Sequence, residues 1–189
     1  MNVPMDVPTD ERLIEAALSG DDEAFTELVR KHKRKVMKIA ARFAKNDFEL
    51  DDVCQEIFIK VYKNLKEYRN DAPFEHWLSK IAVNACYDLL RKRYRDGDNI
   101  RLDDISMLKS DLAAEEIPAG VAWEVLNHAL ERLRPEERLV VTLLNLEEKS
   151  VREISALTGW SEANVKVRAF RARKELKRIL EDTHGKRSQ

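Results

Sequence analysis

The side chains whose types and spacing could do chemistry are concentrated in one stretch, "NVKVRAFRARKELKRIL" at 164–180, and the chemistry is recognition of a polyanion. Val165, Ala169, Ala172, Leu176 and Ile179 recur at helical spacing and form one apolar face. The other positions carry Lys166, Arg168, Arg171, Arg173, Lys174, Lys177 and Arg178 against a single acid, Glu175. Just upstream, "SVREISALTGWSEANVKVRAF" supplies what a helix-turn-helix requires. Val151, Ile154 and Leu157 face inward, and Ser155 is small where the second helix crosses. Gly159 stands where the turn needs positive φ, Ser161 caps the new helix, and Val165 packs back onto the first. A recognition helix buries one face and presents the other to a duplex. Glu162, Asn164, Lys166 and Phe170 are then placed for base edges, and Arg171, Arg173 and Lys174 for bases or phosphates.

A second constellation lies in "LDDVCQEIFIKVYKNL", which has more apolar residues than one helix face can hold. Leu50, Val53, Ile57, Val61 and Leu65 form a core stripe. Phe58, Ile59 and Tyr62 fall partly outside it, beside Asp51, Asp52, Gln55 and Glu56. Surplus apolar area rimmed by acids suits a protein partner, although packing within a bundle could equally absorb Phe58 and Tyr62. The next segment sets Tyr68 and Trp77 among Asn70, Asp71 and Asn84 and ends in Arg91, Lys92, Arg93 and Arg95. Stacking rings, amides and cations together are what single-stranded DNA needs. Phe74 and Trp77 also fit a plain core role.

Other chemistries find no support. Cys54 and Cys86 are isolated within helical patterns and read as small buried hydrophobes. His32, His76, His128 and His184 form no i, i+4 pair and no metal-ligand set with the cysteines. No phosphate-binding glycine loop or paired catalytic constellation occurs, so no enzyme, cofactor or metal is expected. No segment approaches the roughly 20 apolar residues of a membrane span. The N-terminus "MNVPMDVPTDE" lacks the apolar core of a signal peptide, and a cytoplasmic location is expected.

The elements that must position these residues are all helices. Charged residues make up 37% and hydrophobic residues 43% of 189 positions, with five Gly and five Pro. That composition fits an all-α protein with solvated faces. Helices are predicted from Thr9 as N-cap to a stop at Gly20, from about Asp22 to Lys45, from about Phe48 to Lys66 and from about Pro73 to Arg95. The core of the last is expected to be Phe74, Leu78, Ile81, Ala82, Ala85 and Leu89. The stretch 96–118, with Asp96, Asp98, Asp103, Asp104, Asp111, Glu115 and Glu116, reads as an acidic linker. Helical pattern resumes near Val121, with Pro135 suited to a first helical position. The expected organisation is an N-terminal helical domain at 1–95, the linker, and a C-terminal helix-turn-helix domain at 119–189. A formal net charge of -1 says little, because charge acts locally.

Taken in order, "DEAFTELVRKH", "DDVCQEIFIKVYKNL", "FEHWLSKIAVNACYDLLRKR", "LRPEERLVVTLLNLEEKSVREISALTG" and "VKVRAFRARKEL" resemble an extracytoplasmic-function (ECF) sigma factor across nearly the whole chain. The resemblance implies a non-enzymatic initiation factor that binds core RNA polymerase and directs promoter recognition and melting. It implies that Asp51, Asp52, Gln55, Glu56 and Ile59 meet the polymerase clamp. It implies that Tyr68, Asn70, Asp71, Ala72 and Asn84 capture a flipped base of the melted minus-ten element. Trp77, Lys80, Arg91 and Arg93 join that set from the same segment. Ser161, Asn164, Lys166, Phe170, Arg171, Arg173 and Lys174 are expected at the minus-thirty-five element. An anti-sigma factor, often membrane-anchored in this family, is an implied partner. The rival reading is a stand-alone helix-turn-helix regulator with a sensing bundle, which would need an apolar ligand cavity.

Overall fold

The computed structural model describes residues 8–97 and 119–185, and these contain helices and turns but no strand. Residues 98–118, most of the expected acidic linker, lie outside the described residues, as do residues 1–7 of the expected frayed start. α-Carbon proximity divides the chain into two compact units, Met1–Cys86 and Tyr87–Gln189, and the division falls inside a helix.

The first unit begins with α1 (Asp10–Leu18), whose N-cap Thr9 accepts from the backbone N–H of Arg12. In α2 (Asp22–Ala40) the capping carboxylate is Asp21, bonded to the N–H groups of Glu23 and Ala24. This helix ends earlier than the predicted Lys45. A turn at 41–43 drives the fully buried Phe43 into the core, and Asn46 then caps α3 (Asp47–Asn64) through the N–H of Glu49. Glu49 answers by accepting from the backbone N–H of Lys45, which fixes the break reciprocally. A 3-10 turn, Leu65–Glu67, leads to a short loop and α4 (Phe74–Arg95).

Leu28, Val36, Ala40, Val53, Ile57, Val61, Leu65, Phe74, Leu78, Ala82, Ala85 and Cys86 form the core of this unit. On α4 the buried positions include Val83 and Leu90, whereas Ile81 and Leu89 are only half-buried. His32 is buried in the same stripe of α2.

The second unit contains α5 (Ala119–Glu131), α6 (Pro135–Asn145), α7 (Val151–Thr158) and α8 (Glu162–Gly185). Pro135 opens α6, where its missing N–H has no helical partner to lose. Ala129, Leu130, Leu133, Val141, Ala172 and Ile179 pack into one cluster, flanked by Leu126, Leu146, Leu176 and Leu180. The apolar face predicted for 164–180 is therefore the face α8 buries.

Candidate functional site

The helix-turn-helix is locked at every joint. Ser150 and Glu153 form a capping box on α7: Ser150 Oγ accepts from the Glu153 N–H at 3.2 Å, and Glu153 Oε2 accepts from the Ser150 N–H at 2.8 Å. Gly159 adopts φ 76°, the left-handed region that a residue bearing Cβ resists. Ser155 Oγ donates to the Trp160 carbonyl at 2.6 Å, and the Trp160 N–H donates to Thr158 Oγ1 at 3.3 Å. Ser161 Oγ accepts from the Asn164 N–H at 3.3 Å, so the small residue at 155 ties the turn and Ser161 starts α8.

Asn164, Lys166, Phe170, Arg171, Arg173 and Lys174 are all exposed on α8, with Phe170 at 68%. Among the described residues no carboxylate pairs with Lys166, Arg171, Arg173 or Lys174. Further along, the cations are neutralised within the helix: Arg178 lies 2.6 Å from Glu175 and 2.9 Å from Asp182, and Lys177 lies 3.6 Å from Glu181. The Arg178 hydrogen bond holds the Glu175 carboxyl below its usual range. One contact was not foreseen: the Arg168 guanidinium sits 3.7 Å over the Trp160 ring. Eight residues separate the two, a spacing that no local rule picks out.

On α3, Asp51, Asp52, Gln55, Glu56 and Ile59 are exposed, while Val53, Cys54 and Ile57 are buried. The surplus apolar residues remain on the surface, Ile59 at 45% and Tyr62 at 55% exposure, with Tyr62 edge-on to Phe25 at 4.9 Å. Phe58 is half-buried, so bundle packing absorbs only that one. Phe48, taken from sequence as the helix start alone, adds an aromatic ring at 87% exposure. At 100° per residue, positions 48, 52, 55, 59 and 62 share one face. Glu56 pairs with Lys60 at 3.0 Å. Burial, with help from Asp51, pushes the Cys54 thiol up, which fits a structural role.

The segment between the 3-10 turn and α4 forms an aromatic wall beside a pinned loop. Tyr68, Phe74 and Trp77 contact one another with ring centroids 5.5 to 5.6 Å apart. Phe74 is buried, whereas Tyr68 and Trp77 are half-exposed, so the expected core role holds fully only for Phe74. The Tyr68 hydroxyl lies 2.7 Å from the Ala72 carbonyl and 2.9 Å from Asn70 Oδ1. Asn70 has φ 58°, a conformation asparagine tolerates better than most residues. Asn70, Asp71 and Ala72 are exposed at the loop tip.

Lys80, Asn84 and Arg91 are exposed on the face of α4 that carries Trp77. Arg93 departs from expectation. It lies about 160° round the helix from Trp77 and is only 7% exposed, so it is not displayed with the others.

Two family models match the chain, one in each half. The Sigma-70 region 2 family model matches residues 28–96 and the Sigma-70 region 4 model matches 123–176. The chain is 31% identical over 172 residues to ECF RNA polymerase sigma factor SigM of Mycobacterium tuberculosis, covering 91% of this chain and 85% of that protein. It is 31% identical over 182 residues to the ECF RNA polymerase sigma-E factor of Escherichia coli, covering 89% and 92%. The solved structure of CnrH in complex with the cytosolic domain of CnrY aligns with TM-score 0.57 at 28% identity, over 92% of this chain and 97% of that one. The sigma factor RpoE of Bartonella quintana, solved with the anti-sigma factor NepR, shares the fold with TM-score 0.55 at 20% identity, over 83% and 96%. With the region 2 match followed by the region 4 match, and with such relatives aligned over nearly their whole length, the chain belongs to the ECF RNA polymerase sigma factors.

Proposed function

We propose that this chain joins core RNA polymerase through α3 and gives the holoenzyme its promoter specificity through two DNA-reading surfaces, catalysing no reaction itself. The observation that carries the reading is the pairing, in one chain, of a locked helix-turn-helix displaying uncompensated cations with an α3 face of acids around exposed apolar side chains. Asp51, Asp52, Gln55, Glu56 and Ile59 would dock on a basic, partly apolar surface of the polymerase. Tyr68, Asn70, Asp71, Ala72, Trp77, Lys80, Asn84 and Arg91 would hold the melted minus-ten strand, with a base flipped against the wall. Flipping costs a few kcal/mol, offset by stacking and edge hydrogen bonds. Ser161, Asn164, Lys166, Phe170, Arg171, Arg173 and Lys174 would read the minus-thirty-five element.

The working division is a polymerase- and minus-ten-binding domain at 1–95, a linker at 96–118 and a minus-thirty-five-binding domain at 119–189. Among the described residues no helix is long and apolar enough to cross a membrane. Transcription places the protein in the cytoplasm. The CnrH complex, in which a similar chain is held by another protein's cytosolic domain, supports an anti-sigma partner here as well.

The test is titration of core polymerase with the wild-type chain and with Asp52→Lys combined with Gln55→Ala. Both side chains are exposed, so helicity is expected to be unchanged. Losing a buried interfacial charge pair costs about 2–5 kcal/mol, and the double variant is expected to bind core correspondingly more weakly. Equal affinity with normal circular dichroism overturns the α3 assignment. Failure of core plus wild-type chain to initiate at any site in a genomic DNA library overturns the whole reading.

A further inference from the structure

We infer that Asp10 and His32 are positioning residues for base capture, holding α1 and α2 against the back of the aromatic wall on which the melted strand stacks. This rests on the minus-ten reading proposed above and extends it to α1, which lies outside the matched segment 28–96.

His32 is 3% exposed and occupies the apolar stripe of α2 between Leu28 and Val36. A polar ring in such a place is costly unless it is hydrogen-bonded. Its Nε2 lies 3.1 Å from Asp10 Oδ1 on α1. Burial alone would raise the Asp10 pKa, but hydrogen bonds from Lys31 and His32 outweigh it and the net direction is down. Asp10 is therefore a carboxylate that can only accept, and Nε2 must carry the proton. Lys31 Nζ completes the carboxylate's shell at 2.8 Å and reaches the Pro8 carbonyl at 3.4 Å.

The other side of His32 faces the site. Its ring meets Phe74 at 5.2 Å and 62°, and Phe74, 3% exposed, is the buried ring that touches both Tyr68 and Trp77. α1 also packs on the 3-10 turn that delivers Tyr68, whose hydroxyl pins the loop at Asn70 and Ala72. One helical turn beyond Lys31, Lys35 ties α2 to the first turn of α4 through Glu75 at 2.5 Å. The Asp10–His32 bond is thus the innermost of several ties that fix where the wall stands. Supporting residues of this kind act through others, and loosening them by about 1 Å is enough to degrade a site.

The experiment uses the full chain bound to core polymerase. A single-stranded oligonucleotide is selected by the wild-type holoenzyme from a randomised pool and remade with one abasic position at a time. Wild type is expected to show one position where losing the base weakens binding sharply. In Asp10→Ala and His32→Ala that intact-to-abasic ratio is expected to fall about tenfold, while affinity for core stays within about twofold. His32→Gln, which returns an N–H near the Nε2 position, is expected to recover most of the ratio. An unchanged ratio in both alanine variants overturns the inference, as does a parallel loss of core affinity, which marks a role in folding alone. A His32→Gln chain that behaves like His32→Ala overturns the hydrogen-bond assignment. If wild type has no base-sensitive position, the base-capture reading fails and takes this inference with it.

Discussion

At the scale of single residues, what distinguishes one cation from another is its company. Arg171 is exposed beside Phe170 and has no carboxylate partner among the described residues, whereas Lys177 faces Glu181 and lies about 9 Å further along the axis, at 1.5 Å per residue. Arg171→Ala is expected to weaken minus-thirty-five binding, and Lys177→Ala much less. If Arg171 reads a guanine, its loss costs about 1–3 kcal/mol and relaxes one promoter position; if it holds only phosphate, every sequence weakens alike and the salt slope falls by about one unit. Binding across single-base promoter variants at two salt concentrations decides between them, and equal effects of the two substitutions would show that α8 is oriented otherwise. Most of this surface was legible in sequence because a helix of known period displays its side chains predictably. Arg93 was not, since a run of cations at a helix end does not say which of them turns inward. His32 could have been found, because it continues the four-residue step through Leu28, Val36 and Ala40.

At the scale of elements, turns carried the surprises and caps explained them. The end of α2 was placed too late because "AARFAKNDF" contains neither Gly nor Pro. Asn46 and Glu49 start α3 by satisfying the N–H groups of Glu49 and Lys45, a local signal that a new helix begins there and the old one has already ended at Ala40. Gly159 was legible, because it stands between "SALT" and "WSEA" at the spacing from Ser155, Ser161 and Val165 that a helix-turn-helix requires. A Cβ added there meets nothing within 4 Å, so its penalty is conformational alone. The left-handed backbone costs such a residue about 1–2 kcal/mol, partly offset by the lost freedom of the unfolded chain. Gly159→Ala is expected to lower the urea midpoint of the transition that melts α7 and α8, and Gly159→Asn to lower it less. A midpoint unmoved by alanine would mean the turn relaxes into another conformation. The Arg168–Trp160 contact lay beyond sequence reading, since the turn itself brings the pair together.

At the scale of the whole molecule, the two cysteines report on the first unit. Cys54 and Cys86 are both buried, and burial raises the Cys54 thiol's pKa. Neither thiol is expected to react with a water-soluble disulfide reagent within minutes at neutral pH, and both should react at once in denaturing urea. Rapid labelling of Cys54 in the native chain would contradict the packing of α3 against α2. Charge is also partitioned along the chain: a formal total of -1 hides an acidic α3 surface and a cationic α8, and within α8 the cations beyond Lys174 are tied to acids of the same helix. That self-neutralised end is expected to speed release from the wrong DNA. With Lys166, Arg171, Arg173 and Lys174 as the uncompensated cations of α8 among the described residues, non-specific attachment through this helix is expected to release few counterions, with a logarithmic salt slope of about -3 to -4. Brief residence on random duplex is the expected consequence, and with it a promoter search by frequent dissociation and re-encounter rather than by long sliding.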